Sequence, residues 1–132
     1  MTTQEKKIVY KINVAWDGKS GAQITLPKGQ KLHVDIPEEF GGEGRYLCPG
    51  ELFFSALGGC LLTTFLYLHN KLEFNLKGLH VSVNGRIESH GPEGYRVSGA
   101  QVNLTVKTDD KGRKKAQDCI EMTKVLSHNP QH

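Results

Sequence analysis

An α+β fold is expected from three features of the sequence. Apolar and polar residues alternate over residues 8–16, a stretch without any charge covers residues 52–68, and alternation returns after Asn70 ahead of an amphipathic closing segment. The length of 132 residues sets the expectation of a single domain over residues 1–132. Seventeen Lys and Arg against fourteen Asp and Glu leave a net charge of +3, too mild an excess to point to a nucleic-acid partner. With 37% apolar and 23% charged residues, the composition excludes a disordered chain, a collagen-like repeat and a disulfide scaffold.

Ile8, Tyr10, Ile12, Val14 and Trp16 alternate with Lys7, Val9, Lys11, Asn13 and Ala15, which predicts a strand with one better-buried face. Asp17-Gly18-Lys19-Ser20-Gly21 is turn chemistry, and residues 22–26 resume an extended pattern, so a hairpin is expected. Pro27-Lys28-Gly29 makes the next turn before a short strand through Leu32, Val34 and Ile36. Three antiparallel strands are thus expected by residue 36. Residues 37–48 are Gly-rich and irregular, with Arg45 their only cation. A loop of that length inside a domain is often functional.

Pro49 stands where proline suits a first helical position, and the helix is expected to run to about Asn70. Because it is apolar on nearly every face, it is expected to be fully buried. The charge-free run only reaches the lower limit of a membrane span and contains Gly58-Gly59 and Thr63-Thr64, so no membrane span is expected. Two glycines inside a helix cost about 1 kcal/mol each against alanine, so something is expected to pack closely there. Leu79, Val81, Val83 and Ile87 then mark a strand, and Gly91-Pro92-Glu93-Gly94 a turn. In the next strand the parity of Tyr95 and Val97 switches to that of Val102, Leu104 and Val106, as a bulge at residues 98–100 would produce. Ala116, Cys119, Ile120 and Thr123 follow helical spacing, ending near Ser127, with Asn129-Pro130 as the stop. The long helix has more apolar surface than one small sheet can cover, so a homodimer is expected to cover the rest.

Three cysteines, Cys48, Cys60 and Cys119, lack zinc-type spacing and are too few for a secreted framework. No signal peptide is read at the N-terminus, and a reducing cytoplasm is the expected location. Cys60, in mid-helix behind two glycines, is either a small buried hydrophobe or a nucleophilic thiolate. The second role requires a cation, and Arg45 and Lys19 are the candidates. Cys119 is either core or a thiol that resolves oxidised Cys60, and Cys48 is read as incidental. His33, His69, His80 and His90 have no metal spacing, and Pro130 separates His128 from His132, so no metal is expected. Phosphate-loop, dinucleotide and hydrolase signatures are absent, and no cofactor is expected. Lys111, Arg113, Lys114 and Lys115 read as a solvated helix start.

Pro49-Gly50-Glu51-Leu52, the small and apolar run through Ala56-Leu57-Gly58-Gly59, and then Cys60 closely resemble the central-helix motif of the OsmC/Ohr family of osmotically inducible and organic-hydroperoxide-resistance proteins. The resemblance extends over nearly the whole chain. It implies an OsmC-like fold, an intertwined homodimer with antiparallel sheets wrapped around two central helices. It also implies a thiol peroxidase for small or organic hydroperoxides, with Cys60 attacking the peroxide, a second cysteine closing a disulfide, and an external dithiol as reductant. Glu51 and Arg45 are the implied activators and Cys119 the implied resolving residue. Three positions depart from the best-known branches. Gly50 stands where their glutamate follows proline, Lys19 lies near their arginine, and Leu126 or Ser127 occupies the place of their resolving cysteine, two turns beyond Cys119. Those departures keep a second possibility in view, a non-enzymatic small-ligand-binding or redox-sensing dimer with a structural Cys60.

Overall fold

The computed structural model describes residues 5–127, and the side chains of residues 125–127 are not among what it describes. The expected stop at Asn129-Pro130 and the pair His128 and His132 lie outside the described residues. The chain divides into two compact units, Met1–Pro49 and Gly50–His132.

The first unit is an antiparallel sheet of β1 (Asn13–Trp16), β2 (Gly21–Thr25) and β3 (Lys31–Asp35), in that spatial order. The β1–β2 turn is closed by Asp17, whose Oδ1 accepts from the backbone N–H groups of Lys19 (2.8 Å) and Gly21 (3.2 Å). Trp16 Nε1 donates to the Lys19 carbonyl at 2.6 Å across the same turn. The three strands are those expected, but the first is shorter. Asn13 is paired with Thr25, the last residue of β2, so residues further back have no neighbour to pair with. Ile8, Val9, Tyr10, Val14 and Trp16 are all exposed, and the single chain gives this segment no buried face. After β3 the Gly-rich segment makes one 3₁₀ turn, Glu38–Phe40, and is otherwise irregular.

The second unit is built on α1 (Pro49–Leu72), with Pro49 at the first helical position as expected. Serine and threonine hydroxyls are satisfied within the helix: Ser55 Oγ donates to the Glu51 carbonyl at 2.7 Å and Thr63 Oγ1 to the Gly59 carbonyl at 2.9 Å. Glu73, at φ 52°, ends the helix with its N–H on the His69 carbonyl at 2.9 Å. The His69 ring meets the Phe74 carbonyl at 2.6 Å, and the two rings pack edge to face. This turn drives Phe74 back into the core.

β4 (Leu76–Ser89) and β5 (Tyr95–Thr108) form a long antiparallel hairpin. Arg86 pairs with Gly99 but Ile87 pairs with Val97, which leaves Ser98 as the extra residue of the bulge that the parity switch predicts. A Cβ on Gly85 would lie 2.3 Å from the Phe54 ring, so only glycine lets that ring lie flat on β4. Asp109 Oδ1 accepts from Gly112 N–H at 2.8 Å and starts the last helix, α2 (Arg113–Ser127). Lys111, Arg113, Lys114 and Lys115 are exposed at its start.

The core of this unit is Phe65, Leu68, Phe74, Ala116 and Cys119, with Leu72, Leu76, Leu79, Leu104, Val106 and Ile120 packed around it. The full burial expected for the central helix is not supplied by its own chain. In the single chain only Gly50, Phe65 and Leu68 of α1 are buried, because one two-stranded hairpin and one helix cover one face of it. Phe53, Leu66 and Tyr67 stand exposed. By length and composition alone α1 would also suffice to cross a membrane, a property that core helices of soluble proteins share. Close packing at the two glycines holds for one of them. A Cβ on Gly58 would lie 3.2 Å from Val83 Cγ2, whereas nothing lies within 4 Å of one on Gly59.

Phe65 is the side chain through which this core is joined, and Phe65→Ala is expected to cost about 3–5 kcal/mol. Gly85→Ala, which drives a methyl group into the Phe54 ring, is expected to cost about 1–3 kcal/mol. Urea denaturation followed by circular dichroism measures both.

Candidate functional site

Cys60 lies in the middle of α1 and is exposed. Its neighbours one and two helical turns away, Phe53, Ala56, Thr63 and Tyr67, are also exposed. The thiol therefore belongs to the stripe of α1 that its own chain leaves uncovered. Gly59 leaves open space on one side of it, and Gly58 holds the helix against β4 on the other.

Cys119 is in a different setting. It is fully buried, and its Sγ donates to the Phe65 carbonyl at 3.6 Å. Burial pushes its thiol pKa up, although the Thr123 hydroxyl works in the opposite direction. Cys60 precedes Phe65 by five residues, which separates them by about 140° around α1 and about 7.5 Å along it. Cys60 and Cys119 are both free thiols here, placed toward different faces of α1. Cys119 serves as core, because its place in α2 faces the Phe65 and Leu68 side of the long helix rather than the Cys60 side.

Glu51 is exposed in the first turn of α1, where an acidic side chain suits the helix N-terminus. Nine residues separate it from Cys60, about 180° of rotation and about 13 Å of rise, so the two side chains of one chain do not share a site.

Arg45 belongs to the first unit, where it is held between two carboxylates. Its Nε donates to Asp35 Oδ2 at 2.7 Å, its Nη2 to Asp17 Oδ2 at 2.8 Å, and its backbone N–H to Asp35 Oδ2 at 3.0 Å. Asp35 Oδ1 accepts from Ser20 Oγ at 2.5 Å and from Ile36 N–H at 2.8 Å. A carboxylate that is almost fully buried is thus satisfied on both oxygens. The Arg45 guanidinium, followed by Ser20 and two backbone N–H groups, holds the Asp35 pKa far below the ordinary carboxylate range against the opposing effect of burial. Burial of Asp17 is likewise outweighed, by the Lys19 N–H, Arg45 and the Gly21 N–H, and its pKa is lowered. The guanidinium also lies over the Tyr46 ring, which stacks on His33. The cation expected to activate a thiolate therefore has its donors engaged in a structural cluster.

That cluster was not foreseen. Leu32, Val34 and Ile36 set the inward parity of β3, so alternation assigns Asp35 to solvent, and no sequence signal marks it as buried. Lys19 is exposed, and its backbone carbonyl and N–H make the hydrogen bonds of the turn. Cys48 is half-buried, just ahead of α1. Among the described residues, no group of three His, Cys, Asp or Glu side chains is placed to hold a metal ion.

A long, largely apolar helix with a mid-helix cysteine, packed on a bulged antiparallel hairpin and closed by a second helix, defines the α+β architecture of this unit. Residues 42–128 match the family described as OsmC-like protein, and the chain belongs to that family. The fold agrees with that of solved relatives. An organic hydroperoxide resistance protein OsmC from Legionella pneumophila superposes with a TM-score of 0.73 at 15% identity, over 93% of this chain and 87% of that one. An OsmC-like protein from Mycoplasma pneumoniae gives 0.70 at 15% identity, over 92% and 82%. A Vibrio cholerae structure assigned to organic hydroperoxide resistance, with captopril bound in one of the active sites, gives 0.64 at 17% identity, over 94% and 84%. No curated protein sequence matches the chain.

Two measurements follow from this geometry. A group whose pKa is depressed on folding stabilises the fold above its unfolded pKa and ceases to do so as pH falls toward the folded value. Asp35 therefore stabilises at neutral pH, and its contribution fades below about pH 4. Asp35→Asn is expected to lower Tm at pH 7 and to flatten the acid limb of the Tm–pH curve. A mutant curve parallel to that of the wild type would contradict this assignment. For Cys119, iodoacetamide at neutral pH is expected to leave the thiol unmodified until denaturant is added, as read by peptide mass mapping.

Proposed function

We propose that the protein is a cytoplasmic homodimeric thiol peroxidase that reduces small or organic hydroperoxides through Cys60. The observation that carries this reading is the exposed thiol on the uncovered stripe of α1, within the segment that belongs to the OsmC-like family. Relatives that share the fold include proteins of organic hydroperoxide resistance. Captopril, a small thiol, occupies one of the active sites of the Vibrio cholerae protein, so a site of this fold admits a molecule of that size and chemistry.

In the proposed reaction the Cys60 thiolate attacks the distal peroxide oxygen. An S–O bond forms and the O–O bond breaks; the alkoxide leaves and takes up a proton as the alcohol. Sulfur is oxidised by two electrons to the sulfenic acid, and the peroxide is reduced. Phe53, Ala56 and Tyr67 supply an apolar surround suited to an organic substituent. The exposed apolar side chains of α1 support a second copy of the chain as their cover. It covers Phe53, Leu66 and Tyr67, which single chains rarely leave exposed as a continuous stripe.

The test is turnover of cumene hydroperoxide with a thiol reductant, together with the mass in solution by light scattering. Wild type is expected to run as a dimer and to consume peroxide. Cys60→Ser is expected to remain a dimer with an unchanged circular dichroism spectrum and to lose the activity. An unchanged rate in that variant would remove Cys60 from the chemistry. The ligand-binding reading gains support from the engagement of Arg45 with Asp17 and Asp35, and a dimer whose Cys60 stays reduced under excess peroxide would favour it.

A further inference from the structure

We infer that oxidised Cys60 is resolved directly by a small-molecule thiol from outside the protein, and that no protein disulfide forms in the cycle. This rests on the peroxidase reading above and departs from the two-cysteine scheme that the resemblance implies.

The chain has three cysteines, and the fold removes both partners of Cys60 from reach. A disulfide needs Cα atoms within about 7 Å and side chains that point toward each other. Cys119 hydrogen-bonds the Phe65 carbonyl at 3.6 Å, on a face of α1 about 140° away from Cys60 and about 7.5 Å further along. Cβ atoms tilt toward the helix N-terminus, so the Cys60 side chain points away from Phe65 and widens the gap. Cys119 is also fully buried within its own unit, which puts it out of reach of a second copy as well as of its own Cys60. Bringing it to the thiol would mean extracting a residue of the Phe65–Leu68–Phe74 core. Cys48 directly precedes Pro49, the first residue of α1, and eleven residues of helix, about 16 Å of rise, lie between Pro49 and Cys60. Neither cysteine of the same chain reaches Cys60 while α1 stays helical.

Within its own chain, the space beside Cys60 is open by contrast. Gly59 presents no side chain, and nothing lies within 4 Å of the position a Cβ would take there. A small thiol has room to approach beside the sulfur. Its sulfur attacks the sulfenic sulfur: the S–S bond forms, the S–O bond breaks, and the hydroxyl leaves as water with the proton of the thiol. A second equivalent of thiol, or the second arm of a small dithiol, then attacks the mixed disulfide. The external disulfide is released and Cys60 returns to the thiol.

The experiment uses the reduced full-length protein, treated with a slight excess of cumene hydroperoxide and read by intact mass, thiol count and peptide mapping. Without added thiol, Cys60 is expected to gain oxygen while Cys48 and Cys119 stay reduced. Glutathione added next is expected to append one glutathione at Cys60, and excess glutathione to restore the starting mass. Dihydrolipoamide in a parallel arm is expected to restore it without a lasting adduct, and the relative rates identify whether a monothiol or a dithiol is preferred. Cys119→Ala, which keeps a small side chain in the core, is expected to give the same sequence of masses. Loss of two thiols with a Cys60–Cys119 or Cys60–Cys48 disulfide in the map would overturn the inference while leaving the peroxidase intact. No oxygen uptake at Cys60 would overturn the peroxidase reading and this inference together.

Discussion

Phe65 and Leu68 are the side chains by which a helix without a single charge over residues 52–68 is tied to its unit, and most of that unit is arranged around them. They fix one face of α1 against β4, β5 and α2. His69, one position beyond Leu68, takes up the Phe74 carbonyl and helps turn the chain back, so that Phe74 closes the same core edge to face with Phe65. Cys119 hydrogen-bonds the backbone at Phe65 itself. Two consequences follow from anchoring on one side. The opposite stripe of the helix, with Phe53, Cys60 and Tyr67, is left without cover, and the one thiol exposed among the described residues is on that stripe. The apolar excess that makes α1 look like a membrane span and the accessibility of Cys60 have the same origin.

Where local chemistry decides, the sequence was readable. Pro49 could only begin a helix, the Asp17-Gly18 turn could only reverse the chain, and the parity switch near Ser98 required an inserted residue; each is in its place. The spacing of Ala116, Cys119 and Thr123 predicted the buried face of α2 correctly. Where the outcome depends on what lies across from a segment, reading failed. Alternation over residues 8–16 marked a strand of which only Asn13–Trp16 forms, and it could not reveal that β2 ends opposite Asn13, so most of the segment has nothing in its own chain to pair with. The all-round apolar helix, by contrast, was expected to need a second chain as cover, and its own chain does leave one stripe exposed.

The site was partly legible for the same reasons. The glycines ahead of Cys60 identified the position, because glycine in mid-helix needs a packing cause, and Gly58 has one in Val83. The cysteine pairing was not legible. A helical spacing tells which face of α2 Cys119 occupies, but not which face of α1 it meets. Asp35 was hidden for a different reason. A single ion cluster overrides the alternation of its strand, and nothing in β3 announces that a cation ten residues later will come back to it.

That cluster limits how Cys60 can be activated. A thiolate in mid-helix gains little from the helix dipole and needs a cation or hydrogen-bond donors. Arg45 has one guanidinium and already serves two carboxylates, one of them almost wholly withdrawn from water. A thiolate that competed for it would have to leave Asp35 without its cation, and an uncompensated buried charge is among the costliest defects a fold can hold. The three groups together carry one net negative charge, which repels rather than attracts an anion. In the proposed peroxidase, the positive charge that a Cys60 thiolate needs is therefore to be sought in a group other than Arg45.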